Sequence, residues 1–145
     1  MKFQYKILKE DNFLILNYCE KTSLNDLFNS INIVANDIDY NSNMSILNDL
    51  RDCEIPTDER SICKLTEYIK NNKKIYAKRR TALLTESPNQ VVFSTLLVDL
   101  KKESLVSISI VSTLKSALMH LKGNTKDYML INDIIKDLKS KCNNM

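Results

Sequence analysis

The stretch SILNDLRDCEIPTDERS, residues 45–61, constrains the fold more than any other, because within it an apolar run gives way to an acidic turn and then to a helix start. Met44 to Leu50 is too short for a helix and apolar enough for a buried strand. Pro56 and Thr57 then open a helix, proline being at home in a first helical turn, with Asp58 and Glu59 placed at the positive end of the helix dipole. Ile62, Leu65 and Ile69 follow at helical spacing and face inward. A strand that becomes a helix in so few residues is the mark of α/β construction, in which covering helices carry the chain between neighbouring strands.

The flanking sequence repeats the pattern. Phe3 to Leu8 and Phe13 to Tyr18 read as strands, and Glu10, Asp11 and Asn12 between them supply a turn, so an antiparallel hairpin opens the chain. Ser23 is a good N-cap with Asp26 at the third helical position, and Leu24, Leu27, Phe28, Ile31, Val34, Ala35 and Ile38 continue at spacings of three and four. Tyr76 to Thr85 contains the compact run TALLT, another strand. Ser87, Pro88 and Gln90 form a capping box, which makes Val91 to Leu100 a buried helix even though Val91, Val92 and Phe93 alone prefer strand. Leu105 to Val111 alternates as a strand, and Ser112 or Thr113 caps a helix carrying Leu114, Ala117, Leu118 and Leu121. Gly123, the only glycine, stands where a helix end favours positive φ. Thr125 to Lys141 is a final amphipathic helix with Tyr128, Ile131, Ile134, Ile135 and Leu138 on one stripe.

The expected architecture is therefore α/β: a mixed sheet of about five strands opened by a hairpin, covered by four helices, with a C-terminal amphipathic helix added. Residues 1–123 form the expected core domain and residues 124–145 an appended helix. Its stripe is too apolar to face water, so it packs on its own domain or against a second copy in a homodimer.

At 145 residues the chain has one domain's worth of sequence, and a domain of that size buries roughly 70% of its unfolded surface. No apolar run approaches the ~20 residues of a membrane span, and the first residues lack a signal-peptide core, which points to the cytoplasm. Cys19, Cys53, Cys63 and Cys142 show no CxxC, and His120 cannot join them at a zinc spacing, so free thiols are expected. Residues 1–66 hold 7 basic and 11 acidic side chains and residues 67–145 hold 14 and 7, giving the molecule a dipole. The overall pI of about 8.6 does not demand an anionic partner.

Several chemistries are argued against. Phosphate loops of the dinucleotide and P-loop kinds need two or more closely spaced glycines. Catalysis of the Ser-His-acid kind would have to use His120, late on a predicted helix, so no catalytic set and no cofactor is expected. Lys70, Lys73, Lys74, Lys78, Arg79 and Arg80, interleaved with Tyr76, form the densest basic run, but without any nucleic-acid-binding pattern it reads as a helix end and loop. Asp49, Asp52, Glu54, Asp58 and Glu59 gather at the C-terminal end of the central strand, where open α/β sheets place ligands. A solvated acidic turn explains them without a metal ion.

Four stretches carry a family resemblance: YKILKEDNFLILNYCEKTSLNDL, NMSILNDLRDCE, RTALLTESPNQVVFSTLL and ISIVSTLKSALMHL. In this order they resemble the STAS domains of anti-sigma-factor antagonists, and more closely the SpoIIAA-like group of small bacterial proteins, over about residues 1–122. In the last stretch Ser112, Thr113, Leu114, Ala117, Leu118 and Leu121 fit the family's strand, polar turn and helix, with His120 near the place of an aromatic. The resemblance implies STAS (SpoIIAA-like) topology and a non-catalytic regulatory or protein-interaction module. It departs at the kinase-switched turn, where such antagonists carry an Asp-Ser-Ser-Gly-like sequence and this chain has DLRDCEIPTDERS, with Thr57 and Ser61 as the only hydroxyls. The expected partner surface is Asp49, Asp52, Glu54, Thr57, Asp58, Glu59 and Ser61. The alternative is a small hydrophobic ligand or lipid held between sheet and helices, with Val91 to Leu100 lining the pocket.

Overall fold

The structure, a computed structural model, describes residues 3–72, 79–100, 106–121 and 127–144. Five strands form one sheet in chain order: β1 (Phe3–Leu8), β2 (Phe13–Lys21), β3 (Ser45–Glu54), β4 (Arg79–Leu84) and β5 (Val106–Val111). β1 and β2 are antiparallel and the remaining pairs parallel. The hairpin closes through a short 3-10 turn, Lys9–Asp11, and Asn12 at φ 51° and ψ 50°, a left-handed conformation that asparagine tolerates better than most residues.

Helices α1 (Leu24–Ala35), α2 (Glu59–Asn71) and α3 (Pro88–Leu100) make the three parallel crossovers. Each crossover moves to the next strand in the same direction, so crossovers of one hand put all three helices on one face. Leu27, Leu65 and Leu97 from these helices share a core with Leu14, Ile46 and Leu83 of the sheet. α4 (Leu114–Leu121) and α5 (Tyr128–Asn143) cover the other face, where Ala117, Ile131 and Ile135 pack with Phe13, Leu47 and Leu84. With both faces covered, β2 is buried without interruption from Phe13 to Cys19, as a central strand between two helix layers must be.

The local signals act as the sequence predicts. Ser23 and Asp26 form a reciprocal capping box on α1. Ser87 and Gln90 do the same on α3, and Thr113 accepts from the amide of Ser116 at 3.1 Å on α4.

Three expectations change. α1 stops at Ala35, because Asn36 turns its side chain back onto the Asn32 carbonyl at 2.8 Å and caps the helix; Ile38 lies beyond it and is 95% exposed. α2 begins at Glu59 and not at Pro56 and Thr57, because the Asp58 side chain accepts from the Ser61 amide and caps the helix there, β3 running on to Glu54. The expected free state of Cys19 and Cys142 is overturned: they form a disulfide with Cα atoms 6.3 Å apart, leaving Cys53 and Cys63 as free thiols. α5 lies across β1 and β2 and so delivers Cys142 to the end of β2 from 123 residues away.

α5 packs on its own sheet, Ile131, Ile135 and Leu138 being buried there, while Tyr128 remains 46% exposed. Residues 73–78, Leu105, Gly123 and Thr125 lie outside the described residues, and with them Lys73, Lys74 and Lys78 of the basic run. Among the described residues no helix is long and apolar enough to cross a membrane.

Candidate functional site

The acidic cluster at the end of β3 is split by a bulge. Asn17 pairs with Asp49 and Cys19 with Asp52, so Leu50 and Arg51 together oppose one residue of β2. Without the extra residue, Asp49 and Asp52 would point to opposite faces; with it, Lys139 of α5 reaches both. Asp49 is fully buried and accepts from the Arg51 side chain twice, Nε to Oδ1 at 3.0 Å and Nη2 to Oδ2 at 2.8 Å, and from the Arg51 amide at 3.1 Å. Lys139 Nζ stands 3.0 Å from Asp52 and 3.9 Å from Asp49. The hydrogen bond to Asp49 raises the Arg51 pKa above its usual value.

Two carboxylates and two cations thus neutralise each other beneath the last turns of α5, with Asp52 directly opposite the disulfide's Cys19. This is an anchor for the helix, and it corrects the expectation that Asp49 belongs to an open acidic surface. Glu54, Thr57, Asp58 and Glu59 are exposed and Ser61 is half-buried. Asp58 accepts from the Ser61 amide at 2.9 Å, and its hydrogen bonds with Ser61, the side chain's first and the amide's next, lower its pKa.

Cys53 and His120 lie on opposite faces of the sheet. Cys53 is buried and donates to the Leu50 carbonyl at 3.2 Å; burial, then Asp49 and Asp52, push its thiol up to about 12. His120 Nε2 meets the Ser107 carbonyl at 3.3 Å on the opposite face of the sheet. Among the described residues no three His, Cys, Asp or Glu side chains converge as a metal site would require.

What the structure does build is a chamber of about 110 Å³ between the sheet and the three crossover helices. Leu16, Ile46 and Leu83 form its floor and Leu27, Leu65 and Leu97 part of its roof. The predicted helix α3 does contribute, through Phe93 and Leu97, whereas Val91 and Val92 are 43% and 45% exposed. Polar groups are few and placed. The Tyr18 hydroxyl meets Ser30 at 2.7 Å, burial pushing the phenol up to about 12. Asn48, Tyr40, Arg79 and Thr81 also line the space. Ile31, Ala35, Tyr40, Arg79 and Ile108, which with Asn48 are the half-buried residues of the lining, mark the way in.

Sequence reasoning missed this polar end. The available signal was alternation: Asn48, Arg79 and Thr81 occupy inward positions of β3 and β4 that the neighbouring Ile46, Leu50 and Leu83 mark as core.

Superposition on known structures gives the fold its place. The chain is similar to an uncharacterised protein of the DUF3478 family from Shewanella loihica PV-4, described as having a SpoIIAA-like fold, with a TM-score of 0.53 over 82% of this chain and 91% of that one, at 13% identity. The fold is SpoIIAA-like. No family model matches the chain, and no curated protein does. The SpoIIAA-like, STAS-type topology expected from the four sequence stretches is thus present: a five-strand mixed sheet with its hairpin at one edge.

Proposed function

We propose that the protein is a non-catalytic SpoIIAA-like module that binds a small hydrophobic molecule in the chamber between its sheet and crossover helices. In this reading residues 1–123 are the binding domain, and residues 124–145 are an added helix that closes the opposite face. The observation that carries it is the chamber itself. Protein interiors are packed with few voids larger than a water, so a space of about 110 Å³ with apolar walls and a handful of polar groups is the geometry of a binding site. A cavity of ~150 Å³ lined by aliphatic and aromatic side chains stays dry and takes up benzene.

Native mass spectrometry of the protein purified from its own cells tests the reading. A retained small molecule in the wild type, lost from Ala35→Phe, which fills the entrance, is the expected result. A clean apoprotein mass that also stays unchanged after incubation with benzene-sized compounds would remove it.

A second reading is a protein-interaction module acting through Glu54, Thr57, Asp58 and Glu59. What favours it is their exposure in one run at the strand ends, beside Asp52. Glu54→Lys with Glu59→Lys then abolishes capture of a partner that the wild type retains, Asp58 being left as the helix cap; unchanged capture would discard this surface.

A further inference from the structure

The polar groups of the chamber are unevenly provided for. Thr81 is 6% exposed, and its hydroxyl has no partner among the described residues. Two residues earlier on the same face of β4, the Arg79 side chain gives Nη1 to the Tyr40 hydroxyl at 3.0 Å and to the Ser42 carbonyl at 3.5 Å. Its Nε is buried with no partner among the described residues. Among the described residues no carboxylate pairs with Arg79, in contrast to Arg51, whose guanidinium is gripped twice by Asp49. A buried hydroxyl and a half-buried cation that lack, among the described residues, a partner and a counter-charge are each unfavourable, and here both line one apolar space. A ligand that brings an anionic acceptor to this end satisfies them together.

We infer that the chamber takes a compact carboxylate, with Arg79 as its counter-charge and the Thr81 hydroxyl donating to one carboxylate oxygen. This rests on the ligand-binding reading above and adds the ligand's chemical class. A carboxylate matches the guanidinium fork, which offers Nε and an Nη as parallel donors. The volume fixes the body of the molecule. A space of about 110 Å³ is somewhat smaller than the ~150 Å³ that holds benzene, so the tail is an aromatic ring or a short aliphatic chain and not a long acyl chain. Tyr40, already bonded to Arg79, holds the guanidinium in place at the entrance.

The test is titration of the full chain, by calorimetry, with benzoate and hexanoate against the neutral benzyl alcohol and hexanol. Charge-assisted hydrogen bonds predict carboxylates bound about ten- to a hundredfold more tightly than the alcohol of the same skeleton. Arg79→Met removes that preference and leaves alcohol binding intact, Arg79→Lys keeps part of it, and Thr81→Val weakens the carboxylates alone. Alcohols bound as tightly as acids by the wild type overturn the inference while leaving the ligand-binding reading in place. Failure of all four compounds to bind overturns the inference, and together with a clean apoprotein mass it overturns the ligand-binding reading as well. Should Arg79→Met fail to fold, the wild-type ratio of acid to alcohol and its reduction in Arg79→Lys still decide the matter.

Discussion

Gln90 shows how much one side chain can hold in this fold. Its carbonyl accepts from the amides of Glu86 and Ser87 at 2.7 and 3.2 Å, and its amide donates to the Arg51 and Cys53 carbonyls at 3.1 and 3.0 Å. It therefore caps α3 and also ties that helix to the bulge in β3. Gln90→Ala strands four backbone groups where water has little access, and urea unfolding is expected to show a loss of about 2–4 kcal/mol. Asp58 supplies a pH signature. Its folded pKa is depressed by the Ser61 contacts, so its contribution is present above the unfolded carboxylate range and fades as pH falls through the depressed value. The difference in melting temperature between wild type and Asp58→Ala is then greatest near neutral pH and shrinks in acid. A difference independent of pH would mean that the ionised carboxylate is not what caps the helix. The capping residues were legible in the sequence because both partners of a cap lie within three residues: Ser23 with Asp26, Ser87 with Gln90, Thr113 with Ser116. Ile38 was misread for a related reason, since helical spacing continues past Asn36 although the asparagine side chain ends the helix.

Among the elements, α5 is the one fastened by three different interactions: the apolar stripe of Ile131, Ile135 and Leu138, the pairing of Lys139 with Asp52, and the disulfide from Cys142 to Cys19. The stripe was legible from periodicity alone. The cross-link and the ion pairs were not, because the cysteines are 123 residues apart and the bulge that aligns Asp49 with Asp52 leaves no mark on strand alternation. A disulfide closing so long a loop typically stabilises by about 2–4 kcal/mol, so reduction or Cys142→Ser should lower the unfolding midpoint accordingly, and thiol reductant should have no further effect on the variant. Such a bond persists in oxidising surroundings and is cut in a thiol-buffered cytosol. Cutting the chain after residue 123 removes three buried large aliphatics, Ile131, Ile135 and Leu138, worth roughly 1.5–3 kcal/mol each, comparable with the ~5–15 kcal/mol that holds a domain together. The truncated chain is therefore expected to be strongly destabilised; unchanged stability would show that α5 is a dispensable tail.

At the scale of the whole molecule, the sheet separates two cores that serve different ends. The face under α4 and α5 is closed, cross-linked and ion-paired, whereas the face under α1, α2 and α3 leaves a chamber with an arginine at its mouth. The mixed character of the sheet followed from the opening hairpin and the alternation of strands and helices after it, whereas the strand order did not, since that alternation fits several folds. The chamber was not legible, because Tyr40 and Arg79 meet only once β3 and β4 are paired, and a void has no residue of its own to read. The asymmetry between the faces supplies the most direct test of the central claim. In a methyl-labelled sample titrated with benzoate, the methyl groups of Ile46, Leu83, Leu97 and Ile108 are expected to shift together and saturate with one affinity, while those of Ile15, Leu47, Ile131 and Ile135 beyond the sheet stay in place. Shifts spread equally over both faces, or absent from the first set at saturating ligand, would contradict the assignment of the chamber as the binding site.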